Sequence, residues 1–246
     1  MIRLPRLDDH APDRFPDPRH ALIEPNGLLA FGGDLSPPRL LTAYAHGIFP
    51  WFNEGEPILW WSPDPRCVFH TDRLRPNRSL RRVLKDKAWH VTVDRAFRPV
   101  MEACAAPRPG QFGTWISPAM IDAYDALHDL GFAHSVEVWE QERLVGGIYG
   151  VSIGRLFCGE SMFSAESGGS KLALCALAAL LREWEFPLID AQVSNPHLLG
   201  LGAVEMSRDA FLGEVAALAC ASFDQGRWQK LPVVPAQCIL DGRSFT

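Results

Sequence analysis

The segment HSVEVWEQERLVGGIYGVSIGRLFCGESMF, residues 134–163, constrains the fold more than any other stretch of the chain. Its apolar residues alternate over three runs separated by polar or Gly-containing turns. That pattern predicts an antiparallel meander with strands over 134–139, 144–151 and 156–162. Ser170 to Trp184 reads as an apolar helix, Leu188 to Val193 as a strand and Ser207 to Phe223 as a second helix, so the order is strand-rich, then helix, strand, helix. The expected class is therefore a mixed α/β (α+β) layer fold with a mixed central sheet. Upstream, Ser36-Pro37-Pro38 opens a short helix that stops at Gly47. Further helices are expected over 77–87, over 96–105 and from Ser117-Pro118 to Leu130, with a strand over 89–94.

The first third is dense in proline and aromatics, and the stretch AAPRPGQFG (105–113) reads as a break. Two units are expected: a small N-terminal α/β domain over 1–110 and a larger domain over 111–246. The residues from Asp224 onward carry only weak strand or tail signals.

The 246 residues, 47% hydrophobic and 22% charged, exclude a disordered or fibrous protein. The net charge of -5 does not announce a nucleic-acid binder, but its distribution is uneven. Between Arg66 and Arg108 stand 11 basic residues against 4 acidic ones, a basic patch on an acidic body. Six widely spaced cysteines without a CxxC suit reduced core thiols and a cytoplasmic location. The N-terminal MIRLPRLDDHAPDRFP has no continuous apolar run of the signal-peptide kind, and the longest obvious apolar run, Leu172 to Leu181, is far too short to span a bilayer.

Four features could carry chemistry. In CGESMFS (158–164), strand alternation would put Cys158, Glu160 and Met162 on one face, and a carboxylate between apolar neighbours needs a cationic partner or a raised pKa. In LIDAQVSNPH (188–197), Asp190 and Gln192 would share a strand face, where the amide can accept and donate at once. ESGGSKLAL (166–174) presents free backbone N–H groups and Lys171 to an anion, without the spacing of a P-loop. Trp51, Phe52, Trp60, Trp61 and Trp115 accompany Arg73, Arg75, Arg78, Arg81, Arg82, Lys85 and Lys87, a combination that stacks bases and neutralises phosphates. Each also has a plain structural reading: an edge-strand carboxylate, a buried polar network, a capped helix, and core tryptophans beside a solvated helix. The eight histidines show no metal-ligand spacing, Ser161 lacks the second glycine of a nucleophile elbow, and no GxGxxG follows a strand.

Taken in order, EPNGLLAFGGDLSP (24–37), YAHGIFPWF (44–52), PILWWSPDPR (57–66), GTW (113–115), AHSVEVW (133–139), LVGGIYGV (144–151), LFCGESMFS (156–164) and LIDAQV (188–193) resemble the leucyl/phenylalanyl-tRNA–protein transferase family over residues 20–215. The resemblance implies an enzyme that moves Leu or Phe, and less readily Met, from aminoacyl-tRNA to the N-terminal Arg or Lys α-amine of acceptor proteins, marking them for degradation by the N-end rule pathway. It also implies a larger domain like the GCN5-related acyltransferases. An aminoacyl-tRNA ester is already activated, so no cofactor or metal is expected, and since no coiled-coil or edge signal demands a dimer, a monomer is expected.

By that resemblance Trp51 and Trp115 hold the terminal adenosine, and Arg73, Arg75, Arg78, Arg81, Arg82 and Lys85 track the acceptor stem. Ile148, Phe157, Met162 and Leu177 form the apolar side-chain pocket, and Glu160, Asp190 and Gln192 the polar centre, with Tyr44, Tyr124 and Asn195 in support. Two departures stand out: Ala191 replaces a frequent Cys, and Gly200-Leu201-Gly202-Ala203 replaces the usual Ser-Leu-Gly-Ala. An acyl-CoA-dependent N-acetyltransferase and a non-enzymatic RNA-binding module remain open as alternatives.

Overall fold

The computed structural model describes residues 4–107 and 114–245. Two sheets organise the chain. The smaller contains β1 (Arg6–Leu7), β2 (Leu28–Gly32), β3 (Phe49–Pro50) and β4 (Leu59–Trp61) in the order β1-β2-β4-β3, with α1 (Pro37–Ala45) between β2 and β3. The larger has eight strands in the order β11-β5-β10-β9-β8-β7-β6-β12. These are β5 (Arg66–His70), β6 (Trp89–Val93), β7 (Ala133–Glu140), β8 (Arg143–Ile153), β9 (Leu156–Ser164), β10 (Leu188–Asp190), β11 (Val204–Met206) and β12 (Val234–Pro235).

The expected meander is present as β7-β8-β9, extended by one or two residues at most ends. All pairings in the larger sheet are antiparallel except β10 with β9. A parallel pair needs a crossover, and α5 (Gly169–Glu183) supplies it.

Helices cover both faces. Leu172, Leu177, Leu180 and Leu181 of α5 pack with Val91, Val138, Ile148 and Phe157 of the sheet, and Leu80 of α2 (Arg78–Val83) joins them. On the other face α1, α3 (Phe97–Ala105), α4 (Pro118–Asp129) and α7 (Arg208–Ala219) pack against Tyr149, Val151 and Cys158. Leu29, Ala30 and Trp60 of the smaller sheet belong to this same cluster. Where β8 crosses the start of α5 the backbones nearly touch: a Cβ on Gly146 would lie 2.4 Å from the Gly169 carbonyl carbon, so only glycine fits. All six cysteines are free, and Cys67, Cys104, Cys158 and Cys175 are buried.

Several expectations need correction. The boundary placed at 110 falls outside the described residues, but β5 and β6, which precede it, are hydrogen-bonded into the larger sheet. The four strands of the smaller sheet all end by Trp61. The basic helix expected over 77–87 is one and a half turns, capped by the Asn77 side chain on Leu80 N–H, because Leu84 to Lys87 leave the helix for a turn that feeds β6. The helix expected to reach Phe223 ends at Ala219.

The strand expected over 188–193 ends at Asp190, since Gln192 takes a left-handed backbone conformation, φ 54°. The chain from Asp224 is structural rather than incidental. It forms β12 and α8 (Ala236–Leu240) and buries Trp228, Ile239, Leu240 and Phe245 in the core. Trp228 stacks on His134 with ring centroids 4.0 Å apart. Isolated aromatics in a polar tail carry no periodicity, so sequence pattern could not announce this.

Candidate functional site

The site forms where the parallel pair splits. β10 and β9 pair through Ile189 with Phe157 and Asp190 with Cys158, and no further. Beyond that point Ala191 N–H donates to the Cys67 carbonyl and Cys67 N–H to the Gln192 carbonyl, so the chain after β10 follows β5 and leaves β9. β9 meanwhile carries a bulge: Gly159 pairs with Gly150 and Ser161 with Tyr149, leaving Glu160 without a register partner. Gly150 permits this, because a Cβ there would sit 2.2 Å from the Cys158 carbonyl oxygen.

The bulge overturns the expected shared face of 158, 160 and 162. Cys158 packs with the cluster beneath α3, whereas Met162 packs with the one beneath α5. Its chemical consequence is that the Glu160 carboxylate enters the gap between the splayed strands.

Gln192 meets it there. Its Nε2 donates to Glu160 Oε1 at 3.0 Å, and the Tyr124 hydroxyl donates to Glu160 Oε2 at 3.2 Å. Tyr124 is hydrogen-bonded in turn to Tyr44. Both tyrosines are fully buried, so they back the site rather than line it, and burial raises both phenols well above their ordinary range. Burial likewise pushes the Glu160 carboxyl up to about 7, assisted by the Asp190 charge and opposed by the tyrosine hydroxyls and Arg66.

Asp190 stands outside the gap. It is fully buried, and Arg66 holds it bidentately, Nε to Oδ1 at 2.8 Å and Nη2 to Oδ2 at 2.7 Å. Arg66 also donates to the Gly47 carbonyl and lies over the rings of Phe49 and Phe211. The remaining duty of Asp190 is local: its Oδ1 accepts the Gln192 backbone N–H at 3.0 Å. That bond holds Gln192 in its unusual backbone conformation. Arg66 was missed as a site residue because its charge is read in sequence only as part of the basic patch, while its partner lies 124 residues away.

A cavity of about 380 Å³ opens over this centre. Glu160, Gln192, Ser194, Asn195, Trp51, Trp115 and Phe49 all line it. Trp51 is 43% exposed and is braced by Trp61, whose ring lies 5.6 Å away and whose Nε1 donates to the Trp51 carbonyl. A second cavity, of about 930 Å³, shares Glu160, Asn195 and Leu198 with the first and extends over Met162, Ser170 and Lys171.

Of the four apolar pocket candidates, Met162 alone reaches this cavity wall. Ile148, Phe157 and Leu177 lie in the core cluster behind it. Asn195 lines both cavities while its Oδ1 caps α6 (Pro196–Gly200) on Leu198 N–H.

Arg78, Arg81, Arg82 and Lys85 share one exposed surface depression, and none of them forms an ion pair among the described residues. Arg73 is exposed, and Arg75 donates to the carbonyls of Thr71 and Leu74. Basic side chains without internal partners are available to phosphates.

Asp94, His128 and His134 are the one set of three metal-capable groups found among the described residues. They are already engaged: His134 Nδ1 meets Asp94 Oδ2 at 2.8 Å and its Nε2 meets the Gly131 carbonyl, while His128 Nδ1 meets the Ala133 carbonyl. No helix among the described residues is long and apolar enough to cross a membrane.

Comparison with known proteins agrees with this geometry. A family model described as leucyl/phenylalanyl-tRNA protein transferase matches residues 68–216, and one for the N-terminal domain of the same family matches residues 33–64. A leucyl/phenylalanyl-tRNA–protein transferase of Xanthomonas euvesicatoria pv. vesicatoria is 61% identical over 215 residues, 87% of this chain and 86% of its own. One from Shewanella denitrificans is 55% identical over 217 residues, 88% of this chain and 92% of its own. Among solved structures, L-PGS from Bacillus licheniformis aligns over 75% of this chain and 59% of its own with a TM-score of 0.37 and 11% identity, too loose a likeness to carry an argument.

Proposed function

The chain belongs to the leucyl/phenylalanyl-tRNA–protein transferase family, and from that premise we propose how its cleft carries out the transfer. The enzyme moves an amino acid from aminoacyl-tRNA to the N-terminal residue of an acceptor protein. The finer reading is that Leu or Phe, and less readily Met, goes to an α-amine on Arg or Lys. It includes a cytoplasmic monomer whose larger sheet follows the GCN5-related acyltransferase plan and whose halves meet between the two sheets. The observation that carries it is the common cavity: Trp51 and Trp115 line the same space of about 380 Å³ as Glu160 and Gln192.

In this reading the terminal adenosine stacks on Trp51 and Trp115, which brings its aminoacyl ester over the gap between β9 and β10. Arg78, Arg81, Arg82 and Lys85, with Arg73 and Arg75 beside them, carry the acceptor-stem phosphates. The apolar side chain of the amino acid enters past Met162, and Ile148, Phe157 and Leu177 form the firm floor beneath it. A β-branched side chain meets that floor earlier than Leu or Phe, and selectivity of this kind is graded, about 1–3 kcal/mol per methylene.

Gln192 is the group that meets the acceptor. Its Nε2 is engaged by the ionised Glu160, so its Oε1 is turned outward as an acceptor for an N–H of the incoming amine. The neutral α-amine attacks the ester carbonyl, a C–N bond forms, and the carbon–oxygen bond to the ribose breaks. The amine proton leaves with that ribose oxygen, passed by the neighbouring 2′-hydroxyl. Asp190, enclosed by Arg66, acts as a positioning residue through the Gln192 backbone rather than as a base. Neither ATP nor a metal has a step here, since the ester is already activated and orientation lowers much of the barrier.

The test offers labelled Phe-tRNA and labelled acetyl-CoA together to a peptide beginning with Arg. Label from Phe-tRNA alone should become covalently attached, and Gln192→Ala should abolish most of it. Transfer from acetyl-CoA would instead favour the N-acetyltransferase reading, and RNA binding without transfer would favour a binding module.

A further inference from the structure

An acceptor that begins with Arg or Lys brings a cationic side chain as well as an amine, and the two central carboxylates are already engaged. Asp190 is enclosed by Arg66, and Glu160 takes the Gln192 amide and the Tyr124 hydroxyl. A third carboxylate is bonded to a residue of the cavity wall. Glu205 is the middle residue of β11, the edge strand of the larger sheet, and lies opposite Cys67, whose N–H donates to the Gln192 carbonyl. Its Oε1 accepts the hydroxyl of Ser194, a cavity-lining residue. No Lys or Arg among the described residues pairs with Glu205, and the residue is exposed. Val193, next to Ser194 in the cavity wall and 44% exposed, offers apolar support for an aliphatic stem.

We propose that Glu205, hydrogen-bonded to the cavity-lining Ser194, is the specificity-determining residue that binds the guanidinium or ammonium of the acceptor's N-terminal Arg or Lys. The inference rests on the reading that Gln192 receives the α-amine of that same residue.

Ser194, which holds Glu205, follows Gln192 by two residues, and the Arg or Lys charge stands about 7 Å from its own α-nitrogen when the side chain is extended. A single solvated carboxylate reads charge and not shape, so it accepts ammonium and guanidinium alike, whereas a bidentate pocket would prefer Arg. Glu56, near Trp51, offers no equivalent: its carboxylate accepts the backbone N–H and side-chain amide of Asn53 within its own turn.

The experiment measures KM and kcat for two peptides, one beginning with Arg and the other with its uncharged near-isostere citrulline, at fixed Phe-tRNA. The wild type should show a KM lower for Arg by up to about fivefold. Glu205→Gln should remove that difference by raising the KM for the Arg peptide, and Glu205→Lys should invert it. Neither should alter the KM for Phe-tRNA. Glu56→Gln should keep the full discrimination.

A Glu205→Gln enzyme that still prefers Arg as strongly as the wild type, or that loses kcat for both peptides alike with KM unchanged, overturns the assignment. Failure of the wild type to transfer Phe to either peptide would sink the underlying reading instead. Glu205 is exposed, so unchanged thermal unfolding of the variants shows that the comparison is between folded proteins.

Discussion

Glu160→Gln removes the charge at the centre of the cleft while keeping the size of the side chain, and its effect can be worked out in sign and size. The carboxyl lies at about 7 in the folded protein against an ordinary value of 4.5. A displacement of that size corresponds to roughly 3 kcal/mol at about 1.4 kcal/mol per pH unit. Because the folded pKa is raised, the native state holds more protons than the unfolded chain between about pH 4.5 and 7, and stability falls as pH rises through that window. Below it the penalty is absent, and above it the penalty is complete.

Urea unfolding of wild type and variant at about pH 4.5, 6, 7 and 8.5 should therefore show the variant gaining relative stability with pH, by up to roughly 3 kcal/mol, then levelling off. A difference between the two proteins that stays constant over the range would refute the placement of a raised carboxyl at this bulge. The same titration enters catalysis: ionised Glu160 holds the Gln192 amide with its oxygen outward, so wild-type transfer should rise through about pH 7. The variant should keep only the rise due to the acceptor amine, near 7.7–8.0.

Arg66→Met strands the fully buried Asp190 carboxylate, and should cost about 3–5 kcal/mol in denaturant unfolding; adding Asp190→Leu should recover much of it, as lone buried charges cost more than apolar pairs. Trp51→Ala should raise the KM for aminoacyl-tRNA by an amount equivalent to about 1–3 kcal/mol of base stacking. Its thermal unfolding should barely move, because the ring is already 43% exposed. Replacing Arg78, Arg81 and Arg82 together by Ala should weaken tRNA binding irrespective of sequence and flatten the log–log salt dependence by about 2 to 3; an unchanged slope counts against the phosphate track. Trp228→Ala should cost about 3–5 kcal/mol, since the ring is fully buried.

What the residues disclosed in advance was local periodicity. The meander, the long apolar helix and the capped helix after Ser117 all declare themselves through alternation, helical spacing or a Ser-Pro start, and each stands where it was expected. What escaped was pairing at long range. Whether the basic segment near Arg66 faces solvent or the interior depends on Asp190, 124 positions on, and no window of sequence contains both.

The bulge at Glu160 and the left-handed Gln192 were hidden for a related reason. Both break the strand pattern at the functional position, and reading 158, 160 and 162 or 190 and 192 as shared faces assumed an unbroken pleat. The outcome for the polar centre was nonetheless kind to the sequence: Glu160 and Gln192 do touch, through a gap between strands rather than along one.

The packing that joins the two sheets limits what kind of machine this can be. Trp60 and Leu29 from the smaller sheet and Val68, Tyr149 and Leu188 from the larger share one buried cluster, so the wall bearing Trp51 and the wall bearing Gln192 are halves of a single solid. Severing the chain between the two sheets would leave each fragment with a raw apolar face that the intact fold covers.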